Sequence, residues 1–246
     1  MSPLANSWGT VAPRRWAVVV AAGVGKRMGS ELPKQYLSLA GKPLLHRTLA
    51  PFLASPLVDA VVLVLAANDP YWPQLAISHA KLHCCTGGAE RSLSVANALT
   101  YIVSQQGQAQ DWVLIHDAAR PCLSEGDLER LIITLTNHPV GGLLASPVAD
   151  TLKRANDRAE VVATVDRSHL WRALTPQMFR LQLLQQALVA VQAAGVAVTD
   201  DASAVEYLGL RPALVLGKSS NLKVTLPADL LLAEQILAAA TSGYGQ

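Results

Sequence analysis

The stretch Trp16–Met28, WAVVVAAGVGKRM, decides the fold. Its first five residues are apolar and mostly β-branched, which suits a strand buried on both faces. Small residues follow, Ala21-Ala22-Gly23-Val24-Gly25, and then two cations, Lys26 and Arg27. Alanines and glycines strip bulk from the turn, so backbone N–H groups can close on an anion. Ligands of open α/β sheets bind at such carboxyl ends. Lys34 comes seven residues after Arg27, behind Pro33, whose ring restricts the local backbone. Two cations reaching one loop suit a triphosphate, arginine as a rigid fork and lysine as a compact point charge. The loop is not a dinucleotide fingerprint, because Met28 stands at the third glycine of G-x-G-x-x-G. Nor is Gly217-Lys218-Ser219 a Walker A loop, because Pro212 stands where its first glycine must be.

Outward from this stretch the pattern repeats. Apolar runs recur at Ala60–Leu65, Trp112–Ile115 and Gly142–Ala145. Between them lies helical spacing: in Arg91–Val103, Val95, Leu99 and Ile102 share one face. Pro43–Leu53 and Ser124–Leu135 read as further helices. The alternation predicts an α/β fold, a mostly parallel, Rossmann-like sheet with helices on both faces. Residues 148–175 break the rhythm. They are charged and hold two short alternating stretches, Asp150–Arg154 and Val161–Val165, which predict a β-hairpin arm projecting from the sheet. Helices are expected again over Phe179–Ala194 and Asp201–Leu208, a strand over Ala213–Gly217, and a closing helix over Pro227–Ala240. The organisation expected is a flexible leader at 1–14 and one domain at 15–240 that includes the arm.

With 51% hydrophobic and 15% charged residues among 246, the chain can build a large core. A net charge of +2, without a run of five cations, gives no case for nucleic acid. The apolar runs fall far short of a membrane span. Cys84, Cys85 and Cys122 show no metal spacing and read as small buried thiols of a reducing, cytoplasmic protein. Arg14-Arg15 before an apolar run resembles an export signal, but cleavage there would remove the strand that starts the sheet.

Asp117, in HDAARP just past an apolar strand, is placed either to meet a Mg²⁺ that bridges phosphates or to cap the next turn. Arg120 either pairs with Asp117 or meets a phosphate. In GGAERSLSV, Gly88 lets a planar base lie against the backbone and Ser94 can hydrogen-bond it; the bland alternative is a glycine turn and a helix start. Asp200 and Asp201 read as helix caps. Lys223 lies in a strand-like segment where it could be an edge charge. His116 reads as structural.

Nine motifs occur in order: AAGVGKRM, PKQY, GGAERSLSV, HDAARP, PVADTLKR, TVDR, ALTPQ, TDDASAVE and NLKVT. Together they resemble the 2-C-methyl-D-erythritol 4-phosphate cytidylyltransferase family. The resemblance implies a nucleotidyltransferase sheet that transfers CMP from CTP to methylerythritol phosphate and releases pyrophosphate, in non-mevalonate isoprenoid precursor synthesis. It also implies Mg²⁺ or another divalent cation, a homodimer that swaps arms, and a cytoplasmic site, or the stroma in a plant. No fused cyclodiphosphate synthase domain is expected. By position, Arg27 and Lys34 match the residues that stabilise transition-state charge. Ala21, Ala22, Gly23, Gly88 and Ser94 match the cytidine pocket, with Gly25 in the same loop. Asp117 matches the aspartate near the metal. Arg167 and Lys223 match the residues that position the acceptor, Thr151 matches a neighbouring contact, and Arg120 is expected to help position the substrate. Arm exchange would carry Thr151 and Arg167 to the partner's site. Val20 replaces a proline common before the loop, and Leu93 replaces a polar residue common before the pocket serine.

Overall fold

A computed structural model describes residues 12–23 and 32–241. In chain order, β1 (Arg15–Val20) is followed by the small hairpin β2 (Ser38–Leu39) and β3 (Lys42–Pro43), then α1 (Leu44–Ala54), β4 (Ala60–Leu65) and β5 (Leu82–Thr86). Next come α2 (Arg91–Ser104), β6 (Trp112–Asp117), α3 (Glu125–Leu135) and β7 (Gly141–Pro147). The chain then runs through β8 (Leu152–Ala155), β9 (Val161–Val165), β10 (Trp171–Arg180), α4 (Leu181–Ala193), α5 (Asp201–Tyr207), β11 (Ala213–Leu216) and α6 (Pro227–Thr241).

Seven strands form the central sheet, in the order β11-β7-β10-β6-β1-β4-β5. All neighbours are parallel except β10, which runs antiparallel to both β6 and β7. The opening stretch is central: Val18 pairs with Val62 on one side and Ile115 on the other. Successive side chains of β1 serve opposite cores, since strand side chains alternate. Ala17 and Val19 pack with Leu45, Leu49 and Phe52 of α1 and Leu128 and Leu131 of α3. Trp16 and Val18 pack with Val95, Leu99 and Ile102 of α2 and Leu184 and Leu188 of α4. Both faces are apolar because both are covered.

β10 departs from the sequence reading. Residues 171–175 were expected in the arm, and Phe179 was expected to open a helix. Instead Trp171 pairs with Pro147, and Phe179 pairs with Val113 and Gly141 inside the sheet. Leu174 to Phe179 are buried without alternation, as befits a strand covered on both faces, and Pro176 cannot donate to the ladder. A short apolar run of this kind carries no period that tells strand from helix. The hairpin arm is therefore confined to β8 and β9, which pair only with each other.

Three smaller readings also change. Cys122 is buried, but Cys84 is exposed, because β5 is an edge strand. Lys223 lies in irregular chain, not a strand. Of the expected leader, residues 12–14 are described, and Arg14 is tied down: its backbone N–H donates to Asp111 at 2.9 Å. Among the described residues no helix is long and apolar enough to cross a membrane.

Candidate active site

The carboxyl ends of β1 and β6 and the loop after β5 open onto one cavity of about 200 Å³. Ala21, Ala22 and Gly23 line it from β1, Gly88 and Ser94 from the loop and helix after β5, and Asp117 from the end of β6. Lys34, Arg91 and Lys223 complete its charged wall.

Local chemistry explains the convergence. Ala21 N–H donates to Val64 O at 2.8 Å, extending the pairing of β1 past its last residue. Gln35, buried, donates from Nε2 to Ala21 O at 2.9 Å, which docks the short 3-10 turn Lys34–Tyr36 against the strand end. Glycine is required at 87: a Cβ there would lie 2.6 Å from Ala22 Cβ and 2.8 Å from Ser94 Oγ, so the two loops could not meet. Ser94 Oγ accepts from Gly88 N–H at 3.1 Å and donates to Glu90 O at 3.0 Å, fixing the loop that leads into α2.

Asp117 is the electrostatic centre. Its Oδ1 lies 3.2 Å from Arg91 Nε; its Oδ2 lies 2.8 Å from Lys223 Nζ and 3.6 Å from Arg120 Nε. Burial alone would raise the pKa of this carboxyl. The cations Arg91, Lys223 and Arg120 outweigh it and hold the group well below the usual carboxylate range. Arg91 reaches further, with Nη2 2.7 Å from Oδ2 of Asp201. Arg120 donates from Nη1 to Asn221 O at 2.8 Å, and Asn221 donates from Nδ2 to Thr175 O at 2.7 Å. Val224 N–H donates to Ala119 O at 2.8 Å, and Lys34 Nζ donates to Val224 O at 3.2 Å. The segment that carries Lys223 is thus pinned to the HDAARP turn on one side and to Lys34 on the other.

The profile of IspD, 2-C-methyl-D-erythritol 4-phosphate cytidylyltransferase, matches residues 16–239. The chain belongs to this cytidylyltransferase family. A relative from Pseudomonas putida KT2440 that bears the same name is 52% identical over 221 residues, 89% of this chain and 94% of its own. Another, from Pseudomonas aeruginosa PAO1, is 52% identical over 220 residues, again 89% and 94%. Among solved structures, a 4-diphosphocytidyl-2C-methyl-D-erythritol synthase superposes with a TM-score of 0.81 at 37% identity, covering 92% of this chain and 100% of that one. The Francisella tularensis cytidylyltransferase gives 0.78 at 35% identity, covering 91% and 99%.

The cytidylyltransferase cavity gathers Ala21, Ala22, Gly23, Lys34, Gly88, Ser94, Asp117 and Lys223. Arg120 is not on its wall; it pairs with Asp117 from behind. Thr151 and Arg167 flank the arm, just outside β8 and β9; both are exposed and line no part of the cavity. The Arg167 guanidinium donates instead to Ala149 O, at the base of the arm. Gly25 and Arg27 lie outside the described residues. The sequence reading assigned no role to Arg91, Gln35 or Asn221. Arg91 and Gln35 were legible in principle, as polar residues inside GGAERSLSV and PKQY. Asn221 meets the site through Thr175 and Arg120, 46 and 101 residues away, and Asp201 through Arg91, 110 residues away.

His116 is structural here. Its Nε2 faces Arg120 O at 3.1 Å, which can only accept, so Nε2 carries the proton. Nδ1 then accepts from the Thr175 hydroxyl at 2.9 Å, and the same hydroxyl oxygen accepts from Asp117 N–H at 3.3 Å. Burial lowers the pKa of His116 from 6.5 to about 4, against the pull of its bonded neighbours. Between these values the unfolded chain takes up a proton that the folded chain refuses. The stabilising contribution is complete above pH 6.5 and is lost as the pH falls through that window, about 3 kcal/mol in all. Urea unfolding at pH 7 and pH 4.5 is expected to show this loss, with a shallower pH dependence in His116→Gln. An equally steep loss in the variant would assign the acid sensitivity to other groups.

Proposed function

We infer that the protein transfers the cytidylyl group of CTP to 2-C-methyl-D-erythritol 4-phosphate, giving 4-diphosphocytidyl-2-C-methyl-D-erythritol and pyrophosphate, a step of isoprenoid precursor synthesis. Family membership supports the reaction. The observation that carries it on the chain itself is the cation-ringed Asp117 on the same cavity as Lys34 and the small-residue end of β1.

The mechanism follows from charge. An oxygen of the acceptor phosphate attacks the α-phosphorus of CTP; the new P–O bond forms as the bond to the β-phosphate bridging oxygen breaks, and pyrophosphate leaves with that electron pair. The acceptor phosphate is already ionised near neutral pH, so no strong base is needed. The obstacle is repulsion between two anions, which fixed cations and alignment remove. Lys34 and, by the resemblance, Arg27 meet the charge that develops on the polyphosphate. Lys223 meets the acceptor phosphate. Backbone at Ala21–Gly23 and Gly88, with Ser94, holds the cytosine edge.

A divalent cation fits Asp117. The carboxylate is ionised, faces the cavity and offers hard oxygens. Mg²⁺ is commonly held by one or two carboxylates and substrate phosphates, and Asp117 would be the carboxylate here. When bound, it would neutralise part of the polyphosphate charge.

The arm supports a homodimer. Val161 is 64% and Val162 62% exposed, and Leu152, which pairs with Val165 at the other end of the hairpin, is exposed too, on a two-stranded sheet of a kind that is marginal alone in water. A second copy that covers these side chains would bring Thr151 and Arg167 to its own cavity. The three free thiols suit the cytoplasm.

The test is pyrophosphate release from CTP and Mg²⁺ with methylerythritol 4-phosphate or with ribitol 5-phosphate. Release with the first alone is expected. Release with ribitol phosphate alone would change the acceptor, and no release from folded protein would overturn the reading. Sedimentation of the intact chain is expected to give a dimer, and deletion of 152–165 a monomer.

A further inference from the structure

One carboxylate in the Asp117 cluster has no part in the reaction as described. Asp201, in the first turn of α5, is 1% exposed. The helix does not need it as a cap. Asp200 caps α5 by accepting from Ser203 N–H at 2.9 Å, and Gln177 fastens the same end, donating to Asp200 Oδ2 at 2.8 Å and accepting from Ala202 N–H at 2.8 Å. Oδ2 of Asp201 meets Arg91 at 2.7 Å, while Oδ1 is buried with no hydrogen-bond partner. A buried carboxylate with an unanswered oxygen is costly, so its presence asks for a reason outside helix stability.

Arg91 supplies that reason. It is shared between two carboxylates and holds Asp201 at 2.7 Å more closely than Asp117 at 3.2 Å. Without Asp201, one carboxylate, Asp117, would face three cations, Arg91, Arg120 and Lys223. That excess positive charge would oppose a divalent cation at Asp117. We propose that Asp201 is a positioning residue for the metal step: it holds Arg91 toward itself and offsets its charge, so that Arg91 meets Oδ1 of Asp117 only at 3.2 Å and the local field admits a divalent cation. The proposal rests on the reading of Asp117 as the carboxylate that holds the metal.

The test measures CTP binding by calorimetry, without acceptor, in the presence and absence of Mn²⁺. In the wild-type protein Mn²⁺ is expected to tighten CTP binding. In Asp201→Asn that tightening is expected to shrink at least tenfold, while metal-free CTP binding is no weaker than in wild type, since the cavity has become more positive. Removing the excess cation as well, in Asp201→Asn/Arg91→Gln, is expected to restore most of the Mn²⁺ effect. A residue that merely held the fold together would weaken metal-free binding too, and the double variant would be worse than the single one. Unchanged tightening in Asp201→Asn, or no recovery in the double variant, would overturn the proposal and leave the proposed reaction standing. Absence of any Mn²⁺ effect in wild type would overturn the metal reading and this proposal together. Where Asp201→Asn does not fold, Arg91→Gln alone decides: its Mn²⁺ effect must be no smaller than in wild type, and a smaller one sinks the idea.

Discussion

Replacing Lys34 with alanine is expected to lower kcat by about 100- to 1,000-fold while the protein stays folded. The reason lies in how the residue is mounted. Lys34 opens a short 3-10 turn whose next two residues, Gln35 and Tyr36, are buried anchors. Gln35 is tied to Ala21 O, and the Tyr36 hydroxyl donates to Asp69 at 2.8 Å. These bonds hold the turn whether or not residue 34 carries an ammonium. The ammonium lines the cavity beside the carboxyl end of β1, where a polyphosphate would lie. Charge builds on the departing pyrophosphate only as the bond breaks, so a fixed cation there favours the transition state over the bound substrate. One well-placed group of this kind is worth about 2.7–4 kcal/mol. KM for CTP should therefore change much less than kcat. The contact from Nζ to Val224 O gives a control. If Lys34 served mainly to hold that segment, thermal stability would fall and kcat would drop only a few-fold. Steady-state kinetics and a melting curve on the same preparation separate the two cases.

Much of the sheet was legible because its chemistry is local. β1, β4 and β6 are runs of β-branched and aliphatic residues, and the helices after them repeat apolar residues every three or four positions. β10 was not legible. It is antiparallel in a parallel sheet, it contains a proline, and its buried run ends against the first turn of α4. Its place is fixed by β6 and β7 on either side, a condition that no short window of sequence contains. The arm was legible as alternation, but its C-terminal limit depends on where β10 joins β7.

The candidate site divides in the same way. Residues at strand ends were readable because a strand's carboxyl end predicts a ligand position: Ala21–Gly23 after β1 and Asp117 at the end of β6. Gly88 and Ser94 were readable because a glycine pair before a helix has few uses. Lys223 was singled out without its partner, since 106 residues separate it from Asp117 and only the folded chain sets their distance. Arg91 was passed over because one arginine on the first turn of a helix reads as a solvated charge. Its reach to two carboxylates on other elements makes it part of the site.

Asp117→Asn should produce a different failure from Lys34→Ala, and the contrast tests the charge arrangement as a whole. The amide keeps the shape of the side chain and removes its charge. Arg91, Arg120 and Lys223 then face no carboxylate at this point. Lys223 is exposed enough to turn to water, and Arg91 retains Asp201, but Arg120 is 88% covered and loses its ion pair. Removing one partner of a buried pair costs about 3–5 kcal/mol. Asn221 O still accepts from Arg120, so about 2 kcal/mol of lost stability is the expected figure in urea unfolding. Turnover should fall by about 100-fold or more if, as proposed, Asp117 is the carboxylate that holds a divalent cation. Metal-free CTP binding, by contrast, should hold or tighten in the more positive cavity. Lys34→Ala weakens the transition state in a stable protein; Asp117→Asn lowers stability and metal dependence together. Near-normal turnover in Asp117→Asn, at saturating Mg²⁺, would mean that the aspartate only braces Arg120 and Lys223. The divalent cation would then have to be held by the substrates alone.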